Sequence, residues 1–179
     1  MHAVYAAIVL GFLVPAWIVA GIGDWWQHRR ADIEHTAGWK ESAFHLFMIF
    51  SAGSLLLAGL VFQINALFLA AALGLYVAHE IVATWDFTYA SKYRVISITE
   101  QRFHDYLTAI PFALLFLTLV AYWEQSLALL GLGSAEGDFS VRFKEETLPL
   151  WYFGAFFVGS VLNVTCYLEE FARCWRLRK

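Results

Sequence analysis

Several uninterrupted apolar runs of about the 20 residues that a bilayer core requires divide this chain, and they leave few folds open to it. With no water to satisfy it, the backbone of such a run has to satisfy itself, which a helix of that length does. The runs are Ala3 to Ile22, Ser42 to Phe62, Leu67 to Thr84, Tyr106 to Trp123 and Leu148 to Leu168. Composition points the same way: 60% of the 179 residues are hydrophobic and 15% charged, where soluble domains carry about 25% charged residues. The expectation is an all-α fold, a polytopic integral membrane helical bundle of about five transmembrane helices, forming a single domain over residues 1–179. Met1 to Ala7 lacks the Lys or Arg of a signal-peptide n-region, so the first run reads as a retained span. Cys166 and Cys174 are too few and too close for a disulfide framework and are expected as free thiols.

The connections are polar. Asp24 to Lys40 carries Trp25, Trp26 and Trp39, the amphipathic aromatics of a headgroup belt, and breaks at Thr36-Ala-Gly38, with Thr36 a candidate N-cap for the next helix. Gln63 to Asn65 suffices only for a tight hairpin. Trp85 to His104 reads as a short loop and then a helix start at Ser97 or Thr99, where Ser97-Ile-Thr-Glu100 fits a capping box. Pro111 sits near the start of the fourth span, and Gly131 to Glu146 forms an acidic loop. Ten of the twelve Lys and Arg residues fall on one side of a five-span arrangement, leaving only Arg142 and Lys144 on the other. The positive-inside rule then puts the N-terminus outside and the C-terminus in the cytoplasm.

Five of the six histidines, His28, His35, His45, His79 and His104, fall at that cytoplasmic side. Asp24 and His28, Glu41 and His45, and Glu100 and His104 repeat one spacing, an acid four residues before a histidine, which stacks the two side chains on one helix face. With His79-Glu80 and Asp86, helix ends from four spans bring acids or imidazoles to one layer. Ionisable groups near hydrocarbon cost several kcal/mol each unless paired or coordinating. Taken singly, each has a plainer reading: Asp24, Asp86 and Asp105 as partners of Arg29, Arg94 and Arg102, the acid–His pairs as hydrogen bonds, the tryptophans as belt anchors. Taken together, Asp24, His28, His35, Glu41, His45, His79, Glu80, Glu100 and His104 form a candidate ligand set for two metal ions, iron foremost, with zinc or manganese as the other metals that imidazole and carboxylate suit. Glu169 and Glu170 lie near enough along the fifth span to join.

The ligand types resemble the four-helix di-iron carboxylate proteins, in which facing helices project Glu and His inward. Those proteins use Glu-x-x-His, three apart, where this chain uses four, and the His-x-x-His-His boxes of membrane desaturases are absent. A closer resemblance runs from about Gly23 to Pro111. Ile33-Glu-His-Thr36, Lys40-Glu-Ser42 with His45, His79-Glu80 with Trp85-Asp86, and Ile98-Thr-Glu-Gln101 with His104 are similar to a group of small bacterial inner-membrane proteins without an established activity. Members sometimes carry a diguanylate cyclase label, but no Gly-Gly-Asp-Glu-Phe motif occurs here.

Three readings follow. In the first, the protein is a di-iron oxidoreductase that hydroxylates or desaturates a membrane lipid or other apolar substrate, supplied by an electron-donor protein. Phe47, Phe50, Trp85, Phe103 and Phe112 would line its cavity, and Asp86 or Asp105 would orient a histidine. The second is a zinc-dependent membrane hydrolase with Glu80 as general base. The third is a haem-binding or metal-carrying subunit without catalysis. The catalytic candidates are thus Glu80 and Asp86; no nucleic-acid partner is expected.

Overall fold

The computed structural model describes residues 2–145 and 148–178, with side chains from Val4 onward. Lys179 and the predicted loop end at Glu146 lie outside the described residues. Among the described residues the regular structure is all helical, with no strand, and five of the helices are long and apolar enough to cross a membrane.

The first is a rod of α1 (His2–Ile8), a π-helical turn (Val9–Leu13) and α2 (Val14–Arg30). Pro15 explains the turn: it has no N–H to give Gly11 and its ring crowds that carbonyl. The helix widens instead, and Val14 N–H bonds to Val9 O. A 3₁₀ turn (Ile33–His35) follows, anchored by the fully buried Ile33. The predicted cap at Thr36 is not the one used. Its hydroxyl donates to the carbonyls of Asp32 and Ile33, and the N-cap of α3 (Trp39–Val61) is Gly38, whose φ of 72° favours glycine.

The predicted hairpin forms, with Asn65 Oδ1 accepting from Phe68 N–H at 3.1 Å to cap α4 (Ala66–Tyr93). Here the structure departs from the expected end at Thr84. Trp85 to Tyr93 contains no Gly or Pro, so polarity alone does not stop the helix, and it runs on to leave only Arg94 to Ser97 as connection. Ser97 Oγ accepts from Glu100 N–H at 3.1 Å and starts α5 (Ile98–Ala121), as predicted. The reciprocal arm of a capping box is missing because the Glu100 carboxylate is engaged elsewhere. The fourth span stops at Ala121, two residues before its expected end, and Tyr122 turns the chain into α6 (Trp123–Leu129). The acidic loop then returns across the α3–α4 hairpin, through Gln63 N–H to Arg142 O at 2.9 Å and Asn65 Nδ2 to Ser140 O at 2.8 Å. α7 (Leu150–Arg176) completes the chain.

The long helices close into a ring. α3 packs on α4 and α7, α2 packs on α7 and α5, and the α4–α5 seam is the loosest joint. The exterior is apolar, with Phe12, Phe50, Phe116 and Phe157 more than half exposed, while Asp24, His28, Glu41, His45, Glu100 and Glu170 are buried. This inversion suits a lipid solvent.

Candidate metal centre

At one end of the ring, five helices each contribute to a single buried cluster: Asp24 and His28 from the end of α2, Glu41 and His45 from the start of α3, Asp86 from α4, Glu100 and His104 from the start of α5, and Glu170 from the end of α7. The acid–His pairs four apart each present both members to it, because one helix face turns inward.

Its centre is a pair of imidazoles. His28 and His45 stack with centroids 4.5 Å apart and planes 7° from parallel. Glu170 ties them together, accepting from His28 Nδ1 at 2.9 Å through Oε2 and from His45 Nδ1 at 2.8 Å through Oε1. An ionised carboxylate only accepts, so both Nδ1 atoms carry protons, and in the neutral rings both Nε2 lone pairs face the other way. They face carboxylates. His28 Nε2 stands 3.5 Å from both Asp24 Oδ2 and Glu100 Oε1 and makes no hydrogen bond to either. His45 Nε2 is within hydrogen-bond reach of Asp86 Oδ2 at 3.3 Å, a bond it makes only as the protonated ring, and His104 Nε2 is 3.0 Å from Asp24 Oδ1 but not aligned with it. The Tyr167 hydroxyl, 3.1 Å from Asp24 Oδ2 and from Gly21 O, holds the Asp24 side chain from behind.

Arg94 closes the cluster toward the α4–α5 connection. Its guanidinium bonds Glu41 through Nε at 3.2 Å and through Nη2, which also reaches Glu100. Burial works against its charge, yet the hydrogen bonds it donates to Glu41 and Glu100 leave its pKa above the ordinary arginine value. Each ion sits where the helix macrodipoles favour it, the acids in the first turns of α3 and α5 and the arginine at the C-cap of α4. The plainer partners proposed for these residues hold only for Arg102, 3.3 Å from Asp105; Arg29 pairs with Glu169 instead.

Charge makes the cluster unusual. Asp24, Glu41, Asp86, Glu100 and Glu170 are each at most 5% exposed, and Arg94 is the one guanidinium among them. With neutral histidines the formal sum is minus four. Protonating all three histidines would leave minus one and place two imidazolium rings face to face, whereas two divalent cations would bring the sum to zero. Three-ligand groupings within 4.8 Å of one another include Asp24, His28 and His104, and also Glu41, His45 and Asp86.

The other predicted residues lie elsewhere. His35 is not in the cluster: the 3₁₀ turn buries Ile33 and points the imidazole outward, 61% exposed and bonded to Asp32 at 2.7 Å. Next to it, Glu34 is held by Arg173. His79 and Glu80 lie two turns along α4 from Asp86, about 10 Å away at 1.5 Å per residue, and line a cavity of about 640 Å³ that Asp24, His45, Asp86 and His104 border. Phe47, Phe50 and Trp85 do not line it; they are 44%, 53% and 59% exposed on the outer surface. Phe103 packs on Gly23 instead, and only Phe112 of that aromatic group reaches the cavity.

Glu170 is the central group that the acid–His spacing does not reveal, having no histidine beside it. A different signal marks it. Asn163, Tyr167, Glu170 and Cys174 recur at helical spacing as one buried polar stripe in an otherwise apolar span. Cys166 and Cys174 are both free. No protein-family model, no curated protein and no solved structure matches the chain.

Proposed function

We propose that the protein is a multi-pass membrane metalloprotein whose buried cluster holds two divalent cations and oxidises an apolar substrate. The observation that carries this reading is the single glutamate on both Nδ1 atoms: a carboxylate behind an imidazole fixes the tautomer of a metal-ligating histidine, and here it turns both Nε2 atoms toward carboxylates, His28 Nε2 unbonded at 3.5 Å from Asp24 and Glu100 and His45 Nε2 at 3.3 Å from Asp86. His28, His104 and Asp24 are the donors for one ion, and His45 and Asp86 for the other. Glu41 borders both sites and Glu100 the first, but the two share Arg94, which makes them charge-setting neighbours. Asp86 thereby moves from the orienting role toward ligation, and Glu80, whose Oε1 is buried without a partner on the cavity wall, is the group placed to take a proton from a molecule there.

Imidazole and carboxylate without thiolate suit iron or manganese as well as zinc, and a donor set beyond four favours two ions over one tetrahedral zinc. Iron would supply one-electron chemistry toward dioxygen, for which an electron-donor protein is needed. Bis-imidazole haem ligation requires two rings pointing at one iron from opposite sides, and the face-to-face stack of His28 and His45 is not that arrangement. The one-sided distribution of basic residues supports a cytoplasmic face for the cluster, and the resemblance to small bacterial inner-membrane proteins supports that membrane.

Metal analysis and an optical spectrum of purified protein test the reading. Two irons per chain with near-ultraviolet charge transfer are expected; one spectrally silent zinc would favour the hydrolase, and a Soret band the haem subunit. Glu170→Gln keeps the shape but offers one accepting oxygen where two rings need one each, so metal affinity should fall about 10- to 100-fold while Glu169→Gln leaves it unchanged. Full occupancy in both Glu170→Gln and His45→Ala would end the proposal.

A further inference from the structure

Beyond the cluster the ring is not filled. The cavity beside it continues into a second, of about 770 Å³, that runs toward the opposite end of the bundle past Leu55, Leu56, Leu114 and Leu115. Trp17, Tyr76 and His79 border both spaces and form a waist between them. The upper space is walled mainly by aliphatic and aromatic side chains, with Gln63, Thr118, Lys144 and Glu145 also among its lining.

The waist carries buried polar atoms with nothing to bond. Trp17 Nε1, His79 Nδ1 and Glu80 Oε1 are each shielded from solvent and without a hydrogen-bond partner among the described residues. His79 is only 7% exposed, so its ring is committed to this interior. An unsatisfied buried polar group is costly; outside the charged cluster the other such atoms, Ser42 Oγ, Asn163 Oδ1 and Arg173 Nη2, are scattered singly, and three at and beside one constriction of an open cavity indicate a polar ligand atom. Indole N–H only donates and imidazole can donate, so that atom is an acceptor; Glu80 beside them suits a hydroxyl proton as well.

We infer that this waist binds the oxygen-bearing end of a long apolar molecule, a hydroxyl or carbonyl held between Trp17 and His79, with its hydrocarbon tail in the upper cavity and its adjoining carbons toward the cluster. The α4–α5 seam gives it a way in from the side, because Thr84 and Phe87 of α4 and Thr108 and Phe112 of α5 line the lower cavity at the loosest joint of the ring. The chemistry fits an aliphatic alcohol and an isoprenoid quinone alike. Binding at the waist stands independently of the metals; only its role in placing a substrate rests on the oxidoreductase reading.

The test is photolabelling of the purified full chain in detergent with hexadecanol bearing a diazirine near its tail end, followed by peptide mapping, with metal content measured on the same samples. Label is expected on Leu55, Leu56, Leu114 or Leu115. Trp17→Phe and His79→Leu should each cut labelling about tenfold, the equivalent of one buried hydrogen bond. Leu56→Trp, which fills the upper space, should block labelling with helical content unchanged. Competition by plain hexadecanol but not decylubiquinone assigns an alkyl alcohol site, and competition by decylubiquinone at lower concentration than hexadecanol assigns a quinone site. Labelling confined to outward residues such as Phe12 or Phe157, or labelling indifferent to all three substitutions and both competitors, overturns the inference. Metal-free protein that still labels at the waist would separate it from the fate of the metal proposal.

Discussion

Arg94 is the one permanent cation inside the cluster, and its loss exposes how the surrounding acids are kept ionised. Breaking a buried ion pair by removing one partner costs about 3–5 kcal/mol, because the abandoned charge stays in low dielectric. Arg94→Met should therefore lower the thermal midpoint in detergent sharply, and the double variant Arg94→Met, Glu41→Gln should recover part of the loss. Lysine is a poor substitute, since a point charge cannot copy the fork that meets Glu41 twice and Glu100 once. The pH dependence has a definite sign. A group whose folded pKa is raised contributes fully below its unfolded pKa and loses that contribution only above it; for Arg94 both lie beyond the alkaline range. The penalty of Arg94→Met relative to the parent protein should accordingly stay flat from about pH 6 to pH 9, and a penalty that vanishes at the alkaline end would mean that Arg94 does not act as this fixed charge.

Among the elements, the packing of α2 sets where the site residues fall. A Cβ added at Gly23 would lie 2.3 Å from the Phe103 ring, and His104 follows Phe103 directly on α5. Gly23→Ala should push α5 outward, costing about 1–3 kcal/mol as overpacking and disturbing the approach of His104 to Asp24. At Gly74 a Cβ meets nothing within 4 Å, and Gly74→Ala should be neutral or stabilising by up to about 1 kcal/mol. Unfolding midpoints of the two variants, measured side by side, check the contrast. The helices themselves were legible from apolar run length, and the shared inward face from the repeated acid–His spacing. Three features were not. Polarity after Thr84 suggests a loop, but without Gly or Pro it produces only a longer helix, which is how Asp86 comes to sit on α4. Thr36 has the chemistry of a cap, yet the backbone turns at Gly38, where φ is positive. Glu170 was legible only as one of the pair Glu169-Glu170 near enough to join, and its central place shows when the stripe with Asn163, Tyr167 and Cys174 is counted out along the helix.

For the whole molecule, the distribution of ten basic residues against two predicts a single orientation. A fluorescent protein fused after the C-terminus should fold and glow in intact cells, and alkaline phosphatase at the same point should stay inactive. Active phosphatase there would invert the arrangement and put the cluster at the other face of the membrane. The loop between α6 and α7, which ties itself to the α3–α4 hairpin, closes the end of the ring remote from the buried cluster.

The π-helical turn in the first rod has a consequence that reaches both ends. It adds about one residue to a turn, and one residue is roughly 100° of rotation, so the stretch before Val9 and the stretch after Leu13 are two screws out of phase. Tyr5, whose hydroxyl meets Thr118 at 3.0 Å, indexes the upper screw, while Asp24 and His28 index the lower. Shortening the chain by Gly11 would bring both into one thread, and the two gripping points could then no longer engage the same neighbour at once.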